Sequence, residues 1–329
     1  MASLRIFKRA RLAPLAACLL ATLLAAPAQQ PAVTFSFTAV DKNGQPFTAL
    51  RKEDVRVTED GVPVEVTALE RRDAQPLSII VALDMSLSQE KTIPVAKQMA
   101  QHLIDSLSQE RDSVGVMRFT GEAIFAQELT DNLERARGAV GDLRFEPPEG
   151  YVSGTGVVKK APVPADIVQG STAFWDALWL AAERLGSQSP PAARRVIILF
   201  TDGFDTSSKR KFNEAVEGSI KAGAAVYSMG VGEEHYGGVN RDALRKLSER
   251  TGGRAYFPDK VQELREDFAK LSNELGSRYV VTYSPTAAKG AGEKMRKVRV
   301  EVVNPELRKQ KLRLAHPQGY YASPAEKRQ

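Results

Sequence analysis

The apolar run Leu77-Ser78-Ile79-Ile80-Val81-Ala82-Leu83 is followed at once by Asp84-Met85-Ser86-Leu87-Ser88. No other feature constrains the fold as much. A near-continuous aliphatic run bounded by polar residues has no solvent face, so it reads as a strand buried on both sides within a parallel sheet. Whatever follows its C-terminal end then lies at the sheet edge where open α/β folds bind ligands. There the chain presents one carboxylate and two hydroxyls at alternate positions. Hard oxygen donors without His or Cys suit Mg²⁺, Mn²⁺ or Ca²⁺ rather than zinc.

The surrounding sequence repeats strand and helix. Ile79–Leu83, Val114–Phe119, Val196–Thr201 and Ala225–Gly230 read as strands. Ile93–Leu107, Leu133–Leu143, Ala173–Leu185, Phe212–Ala222, Arg241–Arg250 and Val261–Leu275 read as helices. This alternation predicts a doubly wound, mostly parallel α/β domain over residues 75–275. No Gly-rich phosphate fingerprint and no Walker loop occurs, so a nucleotide is not the expected ligand. Residues 146–169 are rich in Pro, Gly and Val and lack a period, the signature of a functional loop or a tolerated insertion.

The flanks are β-like. Residues 31–74 contain Thr34–Val40, Val55–Thr58 and Val62–Val66, with turn signals at Asn43-Gly44 and Asp60-Gly61. Residues 277–323 contain Arg278–Tyr283, Val298–Val302 and Lys311–Ala315. Neither flank is long enough to hold a core alone, so the two are expected to pair into one small β-sandwich. Two separate β appendages are the alternative.

Residues 1–28 read as a secretory signal peptide: a basic start at Arg5, Lys8, Arg9 and Arg11, an apolar core from Leu12 to Ala25, and the small-residue site Ala26-Pro27-Ala28. The core is too short for a membrane span, so no transmembrane anchor is expected in the mature chain. Leu15-Ala16-Ala17-Cys18 resembles a lipoprotein box, but the apolar run continues past Cys18, which favours the ordinary signal peptide. The expected location is secreted or periplasmic, with association at the cell surface also open. Cys18 is the sole cysteine, so the mature chain has no disulfide. Removing the leader lowers the net charge from +6 to +2, and no basic run exceeds Lys209-Arg210-Lys211. Nucleic acid is not an expected partner.

Two further segments complete the edge begun by Asp84. Thr172 opens the helix after Gly170-Ser171, and the aliphatic run Val196–Phe200 ends in Thr201-Asp202-Gly203. Each alone is ordinary, since hydroxyls cap helices and Asp-Gly makes turns. Together, in this order, they resemble the von Willebrand factor A domain, whose motif runs Asp-x-Ser-x-Ser, then Thr, then Thr-Asp-Gly. The flanks are similar to the ends of bacterial secreted VWFA-related proteins of acidobacteria. The resemblance implies a metal-ion-dependent adhesion site with hydroxyl ligands from Ser86, Ser88 and Thr172. Asp84 and Asp202 would coordinate directly or through water. It further implies a protein partner whose Asp or Glu completes the coordination of Mg²⁺ (or Mn²⁺ or Ca²⁺), with the last helix, Val261–Leu275, moving on binding. Leu87 stands where the family most often has Gly, at a position that is not a ligand. Leu87 and Asp205 beside the metal, and Tyr151, Lys159 and Lys160 in the 146–169 loop, are the expected partner contacts.

An interaction module, not an enzyme, is therefore expected. The alternatives are a scaffold with an incidental metal, or a metal-dependent hydrolase. The hydrolase lacks a general base, because His102, His235 and His316 lie away from the motif segments and no G-x-S-x-G occurs. Trp175 and Trp179 read as packing residues, Asp176 as a first-turn charge favouring its own helix, and Arg194-Arg195 as a solvated start of a strand.

Overall fold

A computed structural model of the chain describes residues 32–72, 75–107, 110–146, 171–232, 237–275, 277–286 and 294–321, with the backbone of 152–153 and 156–157. The expected signal peptide lies outside the described residues. The N-terminal flank forms β1 (Val33–Val40), β2 (Val55–Glu59), β3 (Val62–Val64) and β4 (Val66–Arg71). The middle runs β5 (Leu77–Asp84), α1 (Ile93–Asp105), β6 (Ser113–Phe119), β7 (Ala123–Thr130) and α2 (Leu133–Asp142). A short hairpin of β8 (Val152–Ser153) and β9 (Gly156–Val157) follows. Next come α3 (Phe174–Gln188), β10 (Arg194–Thr201), α4 (Phe212–Lys221), β11 (Ala224–Gly230), α5 (Arg241–Thr251), β12 (Ala255–Tyr256) and α6 (Val261–Leu275). The C-terminal flank forms β13 (Tyr279–Tyr283), β14 (Met295–Val302), α7 (Pro305–Lys309), β15 (Arg313–Ala315) and β16 (Gly319–Tyr321).

The middle folds into a central sheet of order β12-β11-β10-β5-β6-β7, parallel except for the β6–β7 pair. Its aliphatic strands are buried on both faces because helices cover both. Alternate side chains of β5, such as Ile79, Val81 and Leu83, join α1, α2 and α6, while Ile80 and Ala82 join α3, α4 and α5. No described helix is long and apolar enough to cross a membrane. β7 was not expected. As an antiparallel edge strand it is only partly buried, so its sequence carries neither a long aliphatic run nor a clean alternation.

The two flanks pair strand by strand. β1 lies between β13 and β15, and β4 joins the far side of β13. The second sheet has order β16-β14-β2-β3. Phe37, Val57, Tyr279, Val281, Val298 and Val300 fill the space between the sheets, making one antiparallel sandwich from both ends of the chain. The β2–β3 hairpin turns through Asp60 (φ 49°) and Gly61 (φ 83°), the left-handed pair that a two-residue hairpin loop needs. Buried Glu59 joins the sheets by accepting from the Tyr283 hydroxyl (2.8 Å), the Tyr320 hydroxyl (2.7 Å) and Thr286 N (2.9 Å). It also pairs with Arg296 at 2.6 Å.

The α/β unit is inserted between two strands that are neighbours in the sandwich. Arg71 pairs with Tyr279, and Arg72 N donates to Arg278 O at 2.9 Å, so the chain leaves and rejoins the sandwich at one place. A buried polar cluster fixes α6 there. Glu274, 1% exposed, accepts from Thr38 Oγ1 on β1 (2.5 Å), from Arg254 Nε (3.0 Å), and from the Tyr227 and Tyr256 hydroxyls (both 3.3 Å). Arg194 is not a solvated start of a strand. It is buried, and donates to the carbonyls of Leu275 (2.8 Å) and Glu274 (3.4 Å) and to the Tyr227 hydroxyl (3.0 Å).

Candidate metal centre

Asp84 ends β5 at the C-terminal edge of the central sheet. Ser86 N donates to Asp84 Oδ1 (2.9 Å), folding the chain back over the strand end, and Met85 N is tied to Phe119 O (2.9 Å). A single 3₁₀ turn, Leu87–Gln89, then carries Ser88 toward the neighbouring strand end. Ser86 Oγ and Ser88 Oγ lie 3.2 Å apart, and Ser88 Oγ donates to Asp202 Oδ2 at 2.5 Å. Thr201 Oγ1 donates to Asp84 Oδ2 (2.7 Å) and accepts from Gly203 N (3.0 Å). Asp84, Ser86, Ser88 and Asp202 are thus joined by one continuous hydrogen-bond chain. Gly203 (φ +81°) permits the turn after Asp202, since a Cβ there would also fall 2.7 Å from Leu244. Gly232 leaves room for Asp202 itself: an added Cβ would lie 2.8 Å from the Asp202 Cβ.

Thr172 reaches the same edge through its backbone. Its N donates to Thr206 Oγ1 (2.7 Å), and its carbonyl accepts from Thr206 N (2.9 Å) and Ser207 N (3.2 Å), in the loop after Asp202. Its hydroxyl makes no hydrogen bond to a described residue. Asp84, Ser86, Thr172 and Asp202 are each at most 5% exposed, whereas Ser88 and Leu87 are half-buried. Asp205 is not placed as a free partner contact. Its Oδ1 accepts from Phe174 N (2.9 Å), Trp175 N (3.4 Å) and the Ser208 hydroxyl, so it caps α3 and holds Thr172 in position. Asp176 does more than favour its own helix, since its carboxylate accepts from Lys209 N (2.9 Å) and Arg210 N (3.0 Å). Trp175 packs edge-on against Phe212, and Arg210 stacks over Trp179. Tyr151, Lys159 and Lys160 lie outside the described residues.

Burial first, and the Asp202 charge second, push Asp84 up to about 7, against the hydrogen bonds from Ser86 and Thr201. The edge therefore holds more negative charge than its surroundings stabilise, and a proton or a cation relieves it. Among the described residues no cluster of three or more His, Cys, Asp or Glu could hold a metal. The donor set is instead two carboxylates supplemented by neutral hydroxyls, all hard oxygens. That set fits a divalent cation which keeps open positions.

Residues 164–270 match the sequence model of the von Willebrand factor type A domain. The central α/β unit has the fold of a von Willebrand factor type A domain and is called the A domain below. No curated protein matches the chain. Among solved structures it is similar to BatB from Bacteroides thetaiotaomicron, at 20% identity over 60% of this chain and 98% of that one, with TM-score 0.45. It is similar to the von Willebrand factor type A protein from Catenulispora acidiphila, at 16% identity over 84% and 72%, with TM-score 0.48. It is also similar to proximal thread matrix protein 1 from the mussel byssus, with a zinc-occupied MIDAS motif, at 18% identity over 63% and 49%, with TM-score 0.46.

Three residues of the A domain site went unassigned in the sequence. Thr201 bridges Asp84 to the Gly203 turn, a role visible only once β5 and β10 are neighbours. Buried Gln89 donates to Asp202 Oδ2 (3.1 Å) while Thr92 Oγ1 donates to its Oε1 (2.6 Å), fixing the amide. Phe204 follows Asp202 by two residues and is 37% exposed, a large apolar side chain beside a polar site.

Proposed function

We propose that the A domain is a metal-dependent protein-binding module whose cation is held by Asp84, Ser86, Ser88, Thr172 and Asp202. Its oxygen donors favour Mg²⁺, with Mn²⁺ or Ca²⁺ as substitutes. When bound, the cation would supply an open coordination position for an Asp or Glu side chain of the partner. The observation that carries this reading is the pairing of two buried carboxylates, linked through Ser86 and Ser88, with Asp84 pushed up to about 7 by burial and then by the Asp202 charge. Phe204 and Leu87 flank the site and offer apolar contact around a charged centre, the arrangement of an interaction hot spot. The protein acts outside the cytoplasm in this reading, secreted or periplasmic, as its leader predicts.

Among the described residues, the histidines favour binding over hydrolysis, and His235 lies outside them. His102 lies on α1 with its ring 6.4 Å from Phe268, and His316 belongs to the sandwich, so neither can serve as a base at the site. The test is thermal unfolding with Mg²⁺, Mn²⁺, Ca²⁺ or EDTA, for wild type and Asp202→Ala. A ligand that binds only the folded state raises the melting temperature as its concentration passes its dissociation constant. The reading expects a cation-dependent rise that Asp202→Ala removes. No rise with any cation would leave the scaffold alternative.

A further inference from the structure

A cavity of about 290 Å³ lies at the opposite edge of the central sheet, between the starts of β10 and β11 and the outer face of the sandwich. Arg194, Arg195 and Thr251 line it from the A domain, and Thr34, Ser36 and Arg278 from the sandwich side. The alternation of β1 explains the polar wall. Phe35 and Phe37 point into the sandwich core, which leaves Thr34 and Ser36 facing outward.

The charges in this cavity do not balance. Three arginines contribute to its lining and, among the described residues, no Asp or Glu does. Among the described residues Arg194 is bonded to carbonyls and to the Tyr227 hydroxyl, which in turn donates to Glu274. Arg195 donates through Nη1 to Ala222 O (3.0 Å), but its Nε is buried with no partner among the described residues. Arg278 Nε is likewise buried without a partner. Burial, then the nearby Arg194 and Arg72 guanidiniums, push Arg278 down to about 10, the direction expected for a cation lacking a counter-ion. Unpaired buried donors on charged groups are costly, and a guanidinium fork is shaped for carboxylate and phosphate oxygens.

We propose that this cavity is an oxyanion site, in which Arg195 and Arg278 hold the phosphate or carboxylate group of a small molecule between the sandwich and the A domain. Its hydroxyl neighbour Ser36 supplies a further polar contact. Ile220 and Val280, which also line the cavity, give it an apolar wall for the rest of such a ligand. The site is separate from the metal centre and independent of the reading given for it.

The test is calorimetric titration of the full chain, in EDTA, with inorganic phosphate and with acetate, against chloride at matched ionic strength. Arg195→Gln and Arg278→Gln are compared with wild type. Saturable binding of either oxyanion is expected, the tighter one naming the head group. Each variant should weaken it roughly ten- to a hundredfold, the effect of losing a charge-assisted hydrogen bond. Without anion, Arg278→Gln should melt no lower than wild type, because the buried Nε it removes has no partner among the described residues. The proposal is overturned by no saturable binding of either oxyanion, by equal binding of chloride, by unchanged affinity in both variants, or by a lower melting temperature of anion-free Arg278→Gln.

Discussion

Asp84→Asn should change stability in opposite senses with and without metal. In the metal-free protein Asp84 sits at about 7, against 3.8 for an unperturbed carboxyl. Because the folded value is the higher one, the unfolded chain gives up its proton first. Stability is therefore lost as pH rises from about 4 and is fully lost only above 7. At about 1.4 kcal/mol per unit, the shift amounts to on the order of 4 kcal/mol at pH 8, of which roughly 3 kcal/mol falls between pH 5 and pH 8. Asparagine keeps the shape and removes the charge, so the variant lacks this pH-dependent loss. Urea unfolding in EDTA, followed by the fluorescence of Trp175 and Trp179, reads it directly. The stability difference between variant and wild type should move in the variant's favour by roughly 3 kcal/mol from pH 5 to pH 8, and titrating groups that do not interact with Asp84 cancel in that difference. Saturating Mg²⁺ at pH 8 should then raise wild type and not the variant. A difference that stays constant between the two pH values would refute the electrostatic account of the site.

Glu59→Gln should cost roughly 3–5 kcal/mol in urea unfolding, since it removes the buried carboxylate paired with Arg296 and leaves that guanidinium only the more exposed Asp60. Burial raises the Glu59 carboxyl, but the bonds from Tyr320, Thr286 and Tyr283 more than offset this and hold it below 4.5. Its contribution is therefore complete above pH 4.5 and lost as pH falls through the lower folded value, so wild type but not Glu59→Gln should show this acid-dependent loss. Glu274→Gln should destabilise the chain by a similar 3–5 kcal/mol through its pair with Arg254. It should also separate the melting of the sandwich from that of the A domain in calorimetry; a single unchanged transition would argue against Glu274 as the joint. Phe204→Ala should leave the Mg²⁺-induced rise in melting temperature intact while weakening partner binding measured at a sensor surface. Equal loss of both would place Phe204 in the metal site itself.

Much of this architecture is legible in the sequence because its signals are local. The aliphatic strands β5 and β10 announce burial on both faces, the Asp60-Gly61 turn announces its hairpin, and α6 spans the same residues that its periodicity predicts. Asp84, Ser86, Ser88 and Asp202 are readable because each follows the end of such a strand or the turn beside it. What escaped depends on contacts between distant segments. Arg194 looks like a surface residue until the carbonyls of Glu274 and Leu275 and the hydroxyl of Tyr227 surround it. Asp205 looks like a free loop carboxylate until the start of α3 arrives beneath it. The edge strands β7 and β16 have one neighbour each in their sheets, so nothing in their composition must satisfy two sides.

The meeting of Arg72 with Arg278 has a consequence for how the chain acquires its structure. Strands β4 and β13 must become neighbours although the whole A domain separates them along the chain, and closing a loop of that length while it is disordered carries a substantial entropy cost. Once the A domain has formed, its two ends emerge side by side, and the remaining closure is little harder than that of a hairpin. The sandwich would then assemble second, on a foundation provided by the A domain. By the same geometry the A domain is a cassette: another domain with adjacent termini could occupy its place, while the two sandwich flanks without any insert would be separate strands with nothing to bring them together.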